Sequence, residues 1–245
     1  MNALVDINCD MGESFGAWAL GNDEALMPWI HSANIACGFH AGDPGVMART
    51  VSLALKHGIQ IGAHPGLPDI QGFGRREMSI SPQEAYDMTL YQIGALDAIV
   101  RAKGGILQHV KPHGALYNLS ARQAEIAKAL AQAVCDADPS LILYGLSGSI
   151  SVKIAAEMGL AVKHEVFADR TYQSNGALTP RSHPKALISH PEEMMAQAED
   201  LLLRQQVCSV DGEWIVVRAD TICVHGDGPH ALQFAKMLYE RFALA

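Results

Sequence analysis

Short apolar runs alternate along this chain with longer stretches of helical period. The runs are Val5–Cys9, Ala33–Cys37, Gln60–Ala63, Ile106–Val110, Leu141–Tyr144, Val162–Phe167 and, last, either Trp214–Val217 or Ile222–Val224. Their length and their β-branched content read as strands. The intervening stretches carry helix-start signals. Asp43-Pro44 supplies an N-cap with proline in the first turn, and that helix stops at Gly58. Ser81-Pro82-Gln83-Glu84 adds a capping box and opens a long helix ending near Gly104-Gly105. Further helices are expected from Ser120 to about Asp136, after Ser147-Gly148-Ser149, from Pro191 to about Gln205, and from Pro229 to Phe242. Strands alternating with helices imply parallel βαβ units. About seven such units predict an α/β fold, an irregular β/α barrel, as a single domain over residues 1–245. No Gly-x-Gly-x-x-Gly opens the chain, which removes the main support for a dinucleotide-binding sheet.

Six of the runs end in polar bursts, reading Ile7-Asn8-Cys9-Asp10-Met11-Gly12-Glu13, Asn34-Ile35-Ala36-Cys37-Gly38-Phe39-His40, Ile61-Gly62-Ala63-His64-Pro65, His109-Val110-Lys111-Pro112-His113-Gly114, Val166-Phe167-Ala168-Asp169-Arg170 and Cys223-Val224-His225-Gly226-Asp227. Reactive side chains at the carboxyl ends of successive strands are the layout of an α/β enzyme face. Two long loops, Pro65 to Met78 and Thr171 to Ser189, follow such bursts and read as lids or binding loops.

Composition narrows the function. The 245 residues carry 18 basic against 26 acidic side chains, a net charge of −8 that disfavours a nucleic-acid surface. No apolar stretch reaches the length of a membrane span, and Met1-Asn2-Ala3-Leu4 begins no basic leader, so a soluble, cytoplasmic protein is expected. The five cysteines form no Cys-x-x-Cys pair, and Cys9, Cys37 and Cys223 lie in apolar runs as small buried hydrophobes.

The bursts offer several chemistries. Asp10 and Glu13 could hold a metal, act as base or orient a cation. His40, His64, His113 and His225 follow different strands and converge on one crater if the barrel closes. Asp10 with His40 and His64 has the ligand types for a divalent cation, without the spacing of a compact metal motif. Lys111 is expected to project into the crater, to bind phosphate, polarise a carbonyl or act as a base of depressed pKa. Arg75, Arg76, Arg170 and Arg181 are forks suited to carboxylate or phosphate, at least one of them an ordinary surface ion pair. Phosphate-binding turns are expected at Ser147-Gly148 and at Gly226. Neither is a Walker A loop, and no Gly-x-Ser-x-Gly marks a serine hydrolase.

Taken in order, Asp6-Ile-Asn-Cys-Asp-Met-Gly-Glu, Ala33-Asn-Ile-Ala-Cys-Gly-Phe-His-Ala-Gly-Asp, Gly72-Phe-Gly-Arg-Arg, Val110-Lys-Pro-His-Gly-Ala-Leu-Tyr-Asn, Glu165-Val-Phe-Ala-Asp-Arg and Val224-His-Gly-Asp resemble the signatures of the LamB/YcsF family. The resemblance runs from about Val5 to Asp227, with departures at Leu67, where an aromatic is common, and Thr179, where valine is usual. It implies a barrel of the glycoside hydrolase/deacetylase type. It also implies the activity of an ATP-dependent 5-oxoprolinase, in which the family supplies the A subunit beside subunits B and C. That enzyme opens the lactam of 5-oxo-L-proline to L-glutamate with ATP as co-substrate. On this resemblance Asp10, Glu13, His64, Lys111 and His113 are catalytic candidates. Asn8, His40, Arg75, Arg76, Asp169, Arg170, His225 and Asp227 are substrate-binding candidates, and a divalent cation is possible. A metal-dependent deacetylase or amidohydrolase and a non-catalytic lactam- or sugar-binding component are the alternatives.

Overall fold

A computed structural model describes residues 5–226, 228 and 230–243. The expectations at Met1 to Leu4, Asp227 and Pro229 therefore lie outside the described residues. Six parallel strands follow one another around a barrel: β1 (Asp6–Met11), β2 (Ser32–Ala36), β3 (Gln60–His64), β4 (Leu107–Val110), β5 (Ile142–Leu146) and β6 (Ala161–Phe167). A small antiparallel ribbon, β7 (Gln206–Cys208) with β8 (Trp214–Val216), then stands outside the barrel. The seventh barrel strand, β9 (Thr221–His225), pairs with β6 on one side and β1 on the other and closes the ring. Both candidates for the last strand therefore form, and only the second enters the barrel. Trp214 and Val216 are spent on the ribbon and stay exposed.

The helices start where the sequence signals them. In α2 (Pro44–His57), which follows the short α1 (Asp23–Leu26), Asp43 Oδ1 accepts from Val46 N at 2.9 Å, and Gly58 ends the helix in the left-handed region at φ 69°. The Ser81–Glu84 capping box opens α3 (Pro82–Ala102), with Ser81 N donating to Glu84 Oε2 at 2.7 Å. The helix expected from Ser120 is instead two helices, α4 (Gly114–Arg122) and α5 (Ala124–Ala137), separated by Gln123 in an extended conformation. The later helices are α6 (Ile150–Glu157), α7 (Pro191–Leu203) and α8 (Ala231–Leu238), the last continued by a π-helical turn over Tyr239–Ala243. Among the described residues no helix is long and apolar enough to cross a membrane.

Strand alternation decides where the chemistry goes. On β1, Ile7, Cys9 and Met11 belong to the hydrophobic core, while Asn8 and Asp10 bond across the barrel interior to β2, the β4–α4 turn and β9. The core thus lies chiefly between strands and helices, and the lumen is polar. Near the amino-terminal end Asp6 accepts from Ser32 Oγ at 2.7 Å and pairs with Lys163 at 3.0 Å. At mid-height Asn34 links Asn8 and Asp10, and its Oδ1 lies 2.7 Å from His109 Nε2. Gly62 makes room for that imidazole, since a Cβ there would overlap the His109 ring.

Candidate active site

The carboxyl-terminal rim of the barrel opens into a cavity of about 770 Å3. Asp10, His64, Lys111, His113 and Phe167 form its floor, and Arg75, Arg170, Arg181 and His225 line its walls. The convergence expected for the strand-end bursts is realised. Asp10 comes from β1, His64 from β3, and Lys111 and His113 from the turn between β4 and α4.

Lys111 is buried, and its ammonium is already engaged. Nζ lies 2.8 Å from Asp10 Oδ1, 2.8 Å from Glu165 Oε1, 3.2 Å from Asn8 Oδ1 and 3.0 Å from Cys223 Sγ. Burial alone would lower its pKa, but the surrounding groups, Asp10 foremost, outweigh that and raise it well above the ordinary lysine value. Of the three roles open to Lys111 from the sequence, the base of depressed pKa is the one this environment opposes. Asp10 is the reciprocal case. Burial would raise its carboxyl, while His64 and Lys111 hold it well below the usual carboxylate range.

Four imidazole and carboxylate groups gather beside this pair. His64 Nε2 lies 3.3 Å from Asp10 Oδ2 and 2.9 Å from His113 Nδ1. The His40 ring stacks on His113 with centroids 3.7 Å apart, and His40 Nε2 is 3.4 Å from Glu13 Oε1. Burial, then neighbouring imidazoles, push the pKa values of His40 and His113 well below the usual histidine value. Glu13, His40, His64 and His113 together have the donor types and proximity of a metal-binding cluster. Asp10, His40 and His64 have the ligand types by sequence, but the compact group joins His40 and His64 to Glu13 and His113 and leaves Asp10 in another. Asp10, Cys223 and His225 form a second such group. Burial keeps the Cys223 thiol protonated by raising its pKa, which makes it a poor ligand.

The wall residues differ in what they can reach. Arg170 is buried and donates to Thr179 O at 2.7 Å and more weakly to Ala186 O. Burial, with Arg181 next, lowers its pKa to about 10, so it remains a guanidinium at neutral pH. Arg75 stacks over Phe73, 4.7 Å from the ring centroid. Arg76 turns outward and forks onto Asp69 of its own loop, which makes it the surface ion pair expected among these arginines. Asp169 accepts from His225 Nδ1 at 2.6 Å on the far wall. Asn8 lies below the floor, bonded to Thr221, Asn34 and Lys111, where it supports the site from beneath.

The expected phosphate turns divide. Ser147 and Gly148 lie at the cavity edge before α6, with Gly148 N–H directed at His164 Nδ1 and Ser147 Oγ accepting from Arg218 N. Gly226 is packed down on β1 instead: a Cβ there would lie 3.0 Å from Asp10 O. Asn34, His109 and Glu165 also belong to the site, although the sequence assigns them no role: Asn34 and His109 open their bursts and Glu165 precedes its own. Each is a polar residue at an inward position of an otherwise apolar strand, in phase with Asp10 or Lys111, and that phase is the signal that could have found them.

Known proteins share this architecture. The chain is 56% identical over 236 residues to the 5-oxoprolinase A subunit of Brevibacillus brevis, covering 96% of this chain and 93% of that one. It is 54% identical to the A subunit of Bordetella pertussis, covering 96% and 94%. Among solved structures, a lactam utilization protein from Thermus thermophilus superposes with a TM-score of 0.91 at 47% identity, covering 98% and 97% of the two chains. A putative cellobiose-phosphate cleavage protein from Enterococcus faecalis shares the fold at a TM-score of 0.54 and 12% identity, covering 98% and 91%. A family model described as LamB/YcsF matches residues 5–244, and with relatives above half identity over nearly its whole length the chain belongs to the LamB/YcsF family.

Proposed function

We propose that this chain is the A subunit of an ATP-dependent 5-oxoprolinase, opening the lactam of 5-oxo-L-proline to L-glutamate in company with subunits B and C. The observation that carries the reading is the meeting of two unlike sets of groups in one cavity. Carboxylate and imidazole groups, Asp10, His64 and His113, line the same cavity as the guanidinium side chains Arg170, Arg75 and Arg181. A cyclic amide with a carboxylate one atom from its nitrogen needs both. The guanidiniums suit the substrate carboxylate, and the floor supplies a proton acceptor for water attacking the ring carbonyl. The names borne by relatives at 54–56% identity support the same substrate.

Within this reading Asp10 acts on water, with His64 beside it at 3.3 Å, and Lys111 holds Asp10 and Glu165 in place with its charge retained. Coupling to ATP makes the stable lactam electrophilic: the γ-phosphoryl group passes to the lactam oxygen as ADP leaves, water adds to the activated carbon, the C–N bond breaks with a proton going to nitrogen, and a second water releases phosphate from the resulting acyl phosphate to give glutamate. Ser147 and Gly148, at the cavity edge before α6, are the candidates of this chain for meeting a phosphate, with the Gly148 N–H turning from His164 to do so. Arg170→Met is expected to raise the KM for 5-oxoproline at least tenfold with a smaller effect on kcat. Asp10→Asn is expected to lower kcat by 100-fold or more. The deciding assay reconstitutes ATP-coupled glutamate release from the three subunits and omits each in turn. Undiminished glutamate formation without this chain overturns the reading, and lactam opening by this chain alone without ATP favours a stand-alone amidohydrolase.

A further inference from the structure

The contact between His64 and His113 poses a problem of proton placement. His64 Nδ1 lies 2.7 Å from Lys111 O, and His113 Nε2 lies 2.8 Å from Phe73 O. A carbonyl oxygen only accepts, so both of these nitrogens carry a proton. In neutral rings the remaining nitrogens, His64 Nε2 and His113 Nδ1, then turn lone pairs towards each other at 2.9 Å. That arrangement is repulsive unless a positive species lies between or beside them. The same polarity, with one N–H on a backbone carbonyl and the free nitrogen inward, is how metal-ligating histidines are oriented.

Further donors face the same point. Glu13 Oε1 is 3.8 Å from His113 Nδ1. Neither ring nitrogen of His40 has a hydrogen-bond partner among the described residues, although the side chain is completely buried. One donor atom from each of Glu13, His40, His64 and His113 lies within 4.8 Å of all the others. Around a single tetrahedral ion with bonds of about 2.1 Å, the donors sit roughly 3.4 Å apart. The separations of 2.9 Å (His64–His113), 3.4 Å (His40–Glu13) and 3.8 Å (His113–Glu13) bracket that spacing, and His40 must turn from its stack on His113 to join the set. The loops are also built to press on these rings: a Cβ at Gly66 would lie 2.5 Å from His40 Nδ1, and one at Gly74 would lie 2.6 Å from His40 Cβ.

We propose that the cavity floor is a binding site for one divalent transition-metal ion, ligated by His64 Nε2, His113 Nδ1 and the Glu13 carboxylate, with His40 as the fourth donor. An imidazole-rich set with one carboxylate favours Zn2+, Co2+ or a similar ion over Mg2+ or Ca2+. His40 is the weakest of the donors, because its ring is stacked parallel on His113 and has to turn before it can share an ion with it.

The test is equilibrium dialysis of the full-length chain, stripped with chelator, against Co2+ and separately Zn2+. One equivalent per chain, with Co2+ ligand-field bands distinct from the hydrated ion and a Tm raised by Zn2+, is the expected result. His113→Gln and Glu13→Gln should each weaken binding by about 100-fold or more, and His40→Gln by less. Substoichiometric binding at millimolar metal with the spectrum of the hydrated ion overturns the proposal. It would leave a proton shared between His64 and His113 as the positive species. Unchanged affinity in a His64→Gln/His113→Gln double variant overturns it as well, by placing the ion elsewhere. The wild-type stoichiometry and spectrum decide the matter even if a variant fails to fold. No lactam turnover is needed, so the metal site and the proposed function stand or fall separately.

Discussion

Burial in the middle of the barrel pushes the pKa of His109 down to about 3. The ring stacks 4.2 Å from Tyr144, and its Nε2–H donates to Asn34 Oδ1, so the folded chain holds it neutral. Unfolded, the same residue titrates near 6.5. Below that value the unfolded state binds a proton that the folded state refuses, so stability falls as pH drops from 6.5 towards 3. This one group should cost about 2 kcal/mol between pH 7 and pH 5. Urea unfolding at the two pH values checks it: His109→Gln should flatten the wild-type loss by about that amount, whatever it does to stability at pH 7. The strand-end residues are legible in the sequence because they sit where an apolar run stops. His109 and Asn34 open such bursts and Glu165 stands just before one, but their roles are not legible, because a strand that reads as apolar draws attention to its outward face while its inward face carries the polar groups.

Among the elements, β3 and β4 are coupled through the absence of a side chain. An alanine at Gly62 would drive its methyl into the His109 ring, displacing the bond to Asn34 and through it the support of Asp10. Gly62→Ala is expected to destabilise the chain by about 1–3 kcal/mol, the range for overpacking. The Tm should fall by roughly 2–4 °C for each kcal/mol lost. Gly94, inside α3 with open space around it, is the control: Gly94→Ala should be neutral or stabilising. Helix starts with side-chain caps, at Asp43 and Ser81, announce themselves in the sequence. The start of α4 does not, because His113 caps it without a side-chain hydrogen bond, and Gly114, at φ 51°, reads as a turn. The break at Gln123 is invisible for a related reason: no glycine or proline marks it.

Across the whole molecule, the count of βα units is enough to foresee a barrel, but not which late strand closes it. Two short runs compete, and their fates are set by partners that periodicity cannot see. Val207 of β7 pairs with Ile215, whereas Ile222 is flanked by Ile7 and Val166. Closure is expected to be all-or-none. A chain ending at residue 220 would leave unpaired edges on both β1 and β6 and strip Thr221 from Asn8. It should lose the cooperative urea transition of the full chain, measured by circular dichroism; a retained sharp transition would show that six strands suffice.

The side chains of Asn8 and Thr221 bond across a sequence separation of 213. During synthesis at about 5–20 residues per second, the first strand therefore waits roughly 10–40 s for its last neighbour to be made. Through that interval β1 has no partner on one side, and Asp10 has been made without His225 beside it. The nascent protein spends most of its time on the ribosome with a sticky strand edge and an unfinished reaction chamber. Demand for chaperone protection should therefore be greatest just before the final tenth of the chain appears.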